Sequence, residues 1–409
     1  MKYLIIGGGP CADAAAKEIR KGDKEAEIRI ITEEWFPPYR RLSLTKQAWD
    51  VPFENISLKT EDQNIIIECG LKAVDIDPKQ KLLTCETNEK QEYHLVDPIY
   101  KTYEYDKLLI ATGIRPRKLN FNEDIIYLRN YSDFCYLKSQ IEGKEHPHVL
   151  IIGAGFTGLE LGAELAKRGA NVTMVYPEDL PCRNILPLDF CVQIVETMRK
   201  NKVSMISGET VKEFKYESMG NEFATKREGY NVVLESGRTV TEYFDAVVAS
   251  VGNIPNIPFE EKLVCDRGIV VNEFLETNIK DVYAAGDVAV FPSKHFGRNM
   301  RKEFMDNAIK SGKCAGQNML GNPTEYDPII NTFFDAFDMS YKAVGEYGMN
   351  MDVSYKKVDE GSVIFYREDN VIKGIVFWKV KSALAMATTI IKDKLTLSDD
   401  EYLYMMKFK

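Results

Sequence analysis

Two glycine-rich hexads hold the residues of this chain whose type and spacing bear on chemistry. Gly7-Gly8-Gly9-Pro10-Cys11-Ala12 reads G-x-G-x-x-A, and Gly153-Ala154-Gly155-Phe156-Thr157-Gly158 reads G-x-G-x-x-G. In such a turn the first glycine admits a tight bend and the second lets backbone approach a pyrophosphate. The third small residue keeps the next helix close to its strand. That helix points its positive N-terminus at the phosphates. An acid at the end of the following strand completes the device by accepting from ribose hydroxyls. Glu33 and Glu34 stand there after the first hexad, and Glu178 after the second. An acid at that place suits a free ribose 2′-hydroxyl, so NADH is expected over NADPH, with Arg183 nearby weakening the preference slightly.

Strands and helices must hold each hexad in place. Tyr3-Leu4-Ile5-Ile6 is an apolar run too short for a helix and suited to a buried strand. Ala12 to Arg20 is Ala-rich and helix-forming, and Ile28 to Thr32 is a second strand. Val149 to Ile152, a helix over Leu159 to Arg168 and a strand over Val172 to Tyr176 repeat the order. Three further apolar runs stop at small-residue turns: Leu108 to Ala111 at Thr112-Gly113, Ala246 to Val251 at Gly252-Asn253, and Val282 to Ala285 at Gly286-Asp287. Small residues there permit close approach of a bound cofactor. Asp287 is placed to accept from a ribitol hydroxyl.

Between these runs, Trp35 to Lys46 is rich in prolines, arginines and aromatics. It reads as a loop leading into a short helix near Leu44 to Trp49 and suits either a flavin edge or a solvated basic surface. Leu71 to Ile76 is expected as a strand, and Lys81 to Glu86 with Gln91 to Leu95 as a hairpin. Asp189 to Asn201 and Phe304 to Met319 read as helices, and residues 203 to 249 as strands with polar turns. After Gly321-Asn322-Pro323 the pattern changes to an aromatic strand meander, followed by helices over Ala383 to Lys392 and Asp399 to Met406.

Composition narrows the class. A chain of 409 residues exceeds one hydrophobic core. Hydrophobic content of 44% with 28% charged residues is globular, and a net charge of −9 argues against nucleic-acid binding. Eight cysteines contain no C-x-x-C, so neither a zinc knuckle, nor any metal site, nor a dithiol pair is expected. No presequence is expected before the strand at Tyr3. No apolar run reaches spanning length, so a membrane role is not expected and a reducing cytoplasm is.

Taken together these motifs resemble two-dinucleotide flavoproteins of the FAD/NAD(P)-dependent pyridine nucleotide-disulfide oxidoreductase superfamily. Within it the chain is most similar to apoptosis-inducing-factor-like flavoproteins, near the ferredoxin and rubredoxin reductases. The resemblance runs through GGGPCA, PPYRRLSLTK, LLIATGIRPR, IIGAGFTGLE, YPED, SVGNIPN, YAAGDVA and the tail VIFYREDNVIKGIVFWKV. It implies an α/β fold with two Rossmann-like, glutathione-reductase-like domains plus an α+β C-terminal domain. The implied FAD domain covers residues 1–120 and 248–322, the NADH domain 121–247 and the third domain 323–409.

The resemblance also implies roles. Gly7 to Cys11, Glu33, Glu34, Arg41, Lys46, Ala73, Arg117 and Asp287 match FAD contacts. Ala154 to Thr157, Glu178, Gly252 and Glu303 match NADH contacts. Lys46 and Glu160 match a lysine–glutamate pair beside the flavin, the lysine stabilising negative charge on the reduced ring and the glutamate orienting it. Phe304 and Met305 replace the family's paired histidines, and Phe334 its tryptophan, which removes a proton shuttle and an N–H donor. The long insertions of the animal members are absent, so their cell-death role is not implied. The expected reaction passes hydride from NADH to the flavin and electrons to a small carrier protein, a quinone or oxygen. Arg298, Arg301 and Lys302 with Arg40 form either a docking face for an acidic carrier or a solvated set of charges. Two alternatives stay open: a slow-turnover NADH sensor whose self-association changes, and a quinone reductase using the tail from Tyr402 as a membrane foot. A monomer or homodimer is expected.

Overall fold

A computed structural model describes the whole chain except residues 88–98, 122–123, 220–226, 360 and 409. The chain divides into two compact units. The first comprises Met1–Ser43, Gln47–Arg115 and Asn253–Ile330; the second comprises Leu44–Lys46, Pro116–Gly252 and Asn331–Lys409. The expected α/β class holds, with a parallel sheet in each unit.

In the first unit, Lys2–Ile6 lies between Glu27–Thr32 and Lys107–Ile110, parallel to both. Ile66–Cys69 and Val282–Ala284 extend the sheet at its two edges. Side chains on both faces of the central strands are buried, as in a doubly wound sheet whose strands read as continuous apolar runs. The helix Pro10–Gly22 starts two residues before the expected Ala12. Proline is favoured at the first helical position because its missing N–H would be unbonded there anyway. Leu71–Asp77, Leu82–Thr87 and Tyr100–Glu104 form an antiparallel meander. The expected hairpin partner Gln91 to Leu95 lies outside the described residues. The short helix expected near Leu44 to Trp49 is instead two 3-10 turns, Arg41–Thr45 and Gln47–Trp49. β-branched Thr45, its hydroxyl held by Glu160 Oε2 at 3.1 Å, disfavours a continued helix.

The helix Met305–Met319 packs on Pro10–Gly22 through small residues. A Cβ at Gly312 would lie 2.3 Å from the Cys11 carbonyl oxygen, and one at Gly316 2.9 Å from that of Ala15. Backbone meets backbone here, so the contact cannot be relieved by a rotamer change. Gly312→Ala is expected to destabilise the protein by about 2–3 kcal/mol through overpacking. Urea unfolding should show a lower midpoint with the slope preserved; an unchanged midpoint would contradict the contact.

In the second unit, His148–Ile152 lies between Asn171–Tyr176 and Ala246–Ala249, with Ser204–Ser207 outermost, all parallel. The helix Phe156–Lys167 starts three residues before the expected Leu159. The antiparallel strands Val211–Met219, Arg227–Leu234 and Thr239–Phe244 share an apolar core with the parallel sheet, including Leu150, Phe214, Val232 and Phe244. Of the residues expected as a third domain, 323–330 belong to the first unit and 331–409 to this one. They form a five-stranded antiparallel sheet ordered Asn331–Ala336, Met339–Gly345, Val371–Trp378, Gly361–Glu368, Asp352–Val358. It packs on the parallel-sheet half through Phe156 against Phe334 and Phe190 against Trp378. The Tyr366 hydroxyl donates to the Ile185 carbonyl at 2.9 Å, and the Trp378 indole N–H to Gln193 at 3.1 Å.

The tail is folded in. Tyr402 is fully buried and donates to the Leu395 carbonyl at 2.7 Å, while Phe408 stacks on Phe377. Of the tail's apolar residues considered as a membrane foot, Tyr404 is the large exposed one. Among the described residues no helix is long and apolar enough to cross a membrane.

Candidate functional site

The first cradle opens at Gly7, whose φ of +116° suits glycine and whose N–H donates to the Ile31 carbonyl at 2.7 Å. A Cβ there would lie 2.3 Å from the Ala111 carbonyl oxygen, and one at Gly8 2.4 Å from Thr32 Oγ1. Gly9 caps the helix Pro10–Gly22 in extended conformation, with no side chain capping the first-turn N–H groups. A cap without a side-chain acceptor leaves those donors for an anion.

Around this turn the expected residues gather from distant sequence. Gly286 has φ of +79°, and a Cβ on it would lie 3.2 Å from that of Cys11. Its N–H donates to Ser311 Oγ at 2.9 Å, and Ser311 in turn donates to the Asn307 carbonyl at 2.7 Å. Burial pushes the Cys11 thiol up to about 12, so it stays protonated. Glu34 accepts from Tyr39 Oη at 2.8 Å and pairs with Arg41. Burial works against the Arg41 charge, but Tyr39, Glu34 and Asp287 together raise its pKa above the ordinary value. Arg41 is thus a fixed cation beside the cradle. Thr112 donates to the Asn256 carbonyl at 2.5 Å, and the Asn256 N–H to that of Gly113 at 3.0 Å, fixing the Thr112-Gly113 turn. Glu33 is exposed just beyond its strand, and Ala73 is buried on Leu71–Asp77.

The second cradle repeats the first. Gly153 has φ of +100°, and a Cβ there would lie 2.3 Å from the Ser250 carbonyl oxygen. Gly158 closes on the Gly153 carbonyl at 2.6 Å in the same test, while Gly155 faces open space. Gly155 caps the helix Phe156–Lys167 without a side-chain bond. Ala154 is buried and Thr157 exposed. Glu178 projects beyond the strand Asn171–Tyr176, its carbonyl accepting from Gly208 at 3.0 Å. Gly252, with φ of +94°, accepts at its carbonyl from the Arg117 N–H at 3.0 Å; the Arg117 side chain is exposed. Phe156 stacks on Phe334 at 5.0 Å and on Tyr341 at 5.2 Å. Phe334 itself is fully buried, its ring covered by Phe156 and Tyr341.

Lys46 and Glu160 meet as expected: Nζ lies 2.9 Å from Oε1 of a carboxylate that is 9% exposed. Two partners that sequence reasoning missed complete the arrangement. Thr45 Oγ1 donates to Glu160 Oε2 at 3.1 Å, and the Asp335 backbone N–H donates to Oε1 at 3.3 Å. The Asp335 carboxylate lies 3.5 Å from Lys46 Nζ. A buried carboxylate accepting three bonds is immobile and holds the ammonium in one place. Asp335 stands beside Phe334 in the sequence, but its approach to Lys46 comes from strand pairing far along the chain.

The basic set expected as either a docking face or solvated charges has one member turned inward. Arg301 turns inward to the Asp287 carbonyl at 3.0 Å and pairs with Glu303 at 2.7 Å. Glu303 also accepts from Asn253 Nδ2 at 3.2 Å. Phe304 caps the helix that begins at Met305. All eight cysteines are free. Burial pushes Cys85 and Cys314 up to about 12 and Cys191 up to about 11. Among the described residues no cluster suited to a metal ion is present.

Residues 1–312 match the sequence profile of the pyridine nucleotide-disulphide oxidoreductase family. The chain is 31% identical to monodehydroascorbate reductase 2 of Arabidopsis thaliana, over 84% of this chain and 82% of that protein. It is 27% identical to mitochondrial apoptosis-inducing factor 1 of Dictyostelium discoideum, over 97% and 79%. The crystal structure of the ferredoxin reductase for the CYP199A2 system from Rhodopseudomonas palustris superposes with a TM-score of 0.79 at 25% identity, covering 92% of this chain and 91% of that one.

Proposed function

The chain belongs to the pyridine nucleotide-disulphide oxidoreductase family and is an FAD-dependent NAD(P)H oxidoreductase; we propose that NADH is its donor and a one-electron acceptor its second substrate. The observation that carries this reading is the pair of glycine cradles. Each opens on an uncapped helix N-terminus and each is closed to any side chain at its first glycine. The residues therefore fit two dinucleotides, FAD at Gly7–Cys11 and the nicotinamide coenzyme at Gly153–Thr157.

Bound FAD supplies the capacity to accept a hydride and release electrons singly. The protein's part is placement and charge. Helix N-termini take the pyrophosphates, and Glu33, Glu34, Ala73, Arg41, Thr112, Gly113, Arg117, Gly286 and Asp287 hold the flavin nucleotide. Glu178, Gly252 and Glu303 hold the coenzyme, the exposed carboxylate of Glu178 accepting from a 2′-hydroxyl and repelling a 2′-phosphate. Lys46, fixed by Glu160, which Thr45 holds in turn, would supply positive charge to a bound flavin as it is reduced. Phe334 supports Phe156 from behind.

Dithiol exchange is disfavoured because the chain holds no C-x-x-C pair and burial keeps its inner thiols protonated. No cysteine relay would then be needed between a bound flavin and its acceptor. The names of relatives support an acceptor of one electron at a time: monodehydroascorbate and ferredoxin both accept singly.

The test is an anaerobic absorbance titration followed by acceptor assays. NADH is expected to bleach the yellow protein stoichiometrically, with kcat/KM at least about tenfold above that for NADPH. Ferredoxin or enzymatically generated monodehydroascorbate should then restore the colour. A protein that reduces ferricyanide but neither of these would overturn the acceptor. Slow bleaching with a persistent long-wavelength band and an NADH-dependent change in size would replace turnover with sensing.

A further inference from the structure

We propose that Arg301 is a positioning residue that couples binding of the nicotinamide coenzyme at Glu303 to the turn that holds the flavin. The inference rests on the preceding reading for the identity of the two ligands. Its geometry lies wholly within the first unit. The guanidinium is forked: Nη1 donates to the Asp287 carbonyl at 3.0 Å and Nη2 lies 2.7 Å from Glu303 Oε1. The other oxygen of Glu303 accepts from Asn253, the residue after the Gly252 turn. An unbroken polar chain therefore runs from Asn253 through Glu303 and Arg301 to Asp287.

Three features make this more than a surface ion pair. The side chains of Arg301 and Glu303 are only 21% and 30% exposed, so solvent screens them weakly. The arginine stem runs beside Gly268, where a Cβ would lie 2.6 Å from the Val288 carbonyl oxygen, 2.8 Å from Val290 Cγ2 and 2.9 Å from Arg301 Cδ, so a side chain there would press on the turn's backbone and on the arginine together. Its far end bonds the main chain of Asp287, within the 3-10 turn Gly286–Val288 whose first residue packs on Cys11 of the flavin cradle. A planar fork with opposed donors transmits a displacement at one end to the other, which a flexible ammonium does poorly. When a ligand donates to the Glu303 carboxylate, the charge available to Arg301 changes and the hold on the Asp287 carbonyl changes with it. By linkage, each ligand then alters the affinity of the other by the same factor.

The experiment uses the full chain stripped of flavin. FAD is titrated by fluorescence with and without saturating 1,4,5,6-tetrahydro-NAD, which lacks a transferable hydride. For the native protein the two FAD dissociation constants should differ by about tenfold, within the usual range for coupled sites. In Arg301→Gln the ratio should fall to about one, whatever happens to either constant alone. A purely structural role would weaken FAD binding and leave the ratio intact, and that result overturns the proposal. A native protein that binds both ligands with no coupling also overturns it, while the proposed function stands. A native protein that binds no FAD overturns the function itself. Should Arg301→Gln not fold, Arg301→Lys keeps the charge without the fork and must likewise lose the coupling.

Discussion

Gly7→Ala is expected to purify without flavin. The substituted Cβ would sit 2.3 Å from the Ala111 carbonyl oxygen and 2.7 Å from its carbon, both backbone atoms of the neighbouring strand. Neither can swing away, because Ala111 is itself tied by its N–H to the Ile6 carbonyl at 2.8 Å. A φ of +116° adds strain that an L-residue meets at a cost of about 1–3 kcal/mol. The turn must open to relieve the overlap, and opening it moves the N-terminus of Pro10–Gly22 off the pyrophosphate. FAD affinity should fall by at least about 100-fold, or roughly 2.7 kcal/mol, measured by reconstitution of the apoprotein. Gly143→Ala provides the comparison. It too has positive φ, +78°, but a Cβ there meets nothing within 4 Å. It should cost about 1 kcal/mol of stability and leave flavin binding intact. Equal flavin loss in both variants would mean that conformational strain, not the cradle, is responsible.

Replacing Lys46 should damage both the reaction and the fold, and the two effects can be separated. In Lys46→Ala, Glu160 keeps its bonds from Thr45 and the Asp335 N–H but loses its cation while remaining 9% exposed. An unpaired buried carboxylate costs several kcal/mol; because Lys46 is itself 31% exposed, about 2 kcal/mol is expected here. The rate of flavin reduction by NADH should fall about 100-fold, the usual consequence of removing one charge from a developing anion. Adding Glu160→Gln to Lys46→Ala removes the stranded charge: the amide oxygen still accepts from the Asp335 N–H, and the amide NH2 donates to Thr45 Oγ1, whose hydroxyl accepts as well as donates. The double variant should recover most of the stability and none of the rate. Stopped-flow reduction and urea unfolding of the same three proteins decide it. Recovery of the rate in the double variant would show that Lys46 acts only through the fold.

Several features of the site lie open in the linear chain and others do not, for a physical reason. The two cradles are local devices. A tight turn, a helix start and the acid that follows are all set within one strand–helix–strand unit, so residue type and spacing suffice. Gly7, Gly153, Gly286 and Gly252 all carry the positive φ that such turns demand. The helix starts were misplaced by two or three residues because Pro10 and Phe156 are compatible with either side of the boundary. Resemblance supplied the Lys46–Glu160 pair; no local pattern did.

What the fold alone decided is which partners those residues meet. Thr45 and Glu160 are 115 residues apart, and Glu160 and Asp335 175 apart. Only the pairing of Asn331–Ala336 with its neighbouring strand places Asp335 where its N–H reaches the carboxylate. Arg301 looked like a surface charge because its inward partners are a backbone carbonyl and an acid already assigned elsewhere. Phe334, which stands where the family has tryptophan, is buried against Phe156 and Tyr341, contacts that no local pattern foretells. By itself the sequence determined that two dinucleotides are held, since that needs only short-range turn geometry and a helix end. Tertiary structure decided how charge is arranged beside them, since ion pairs and backbone bonds between distant segments form only when the sheets bring those segments together.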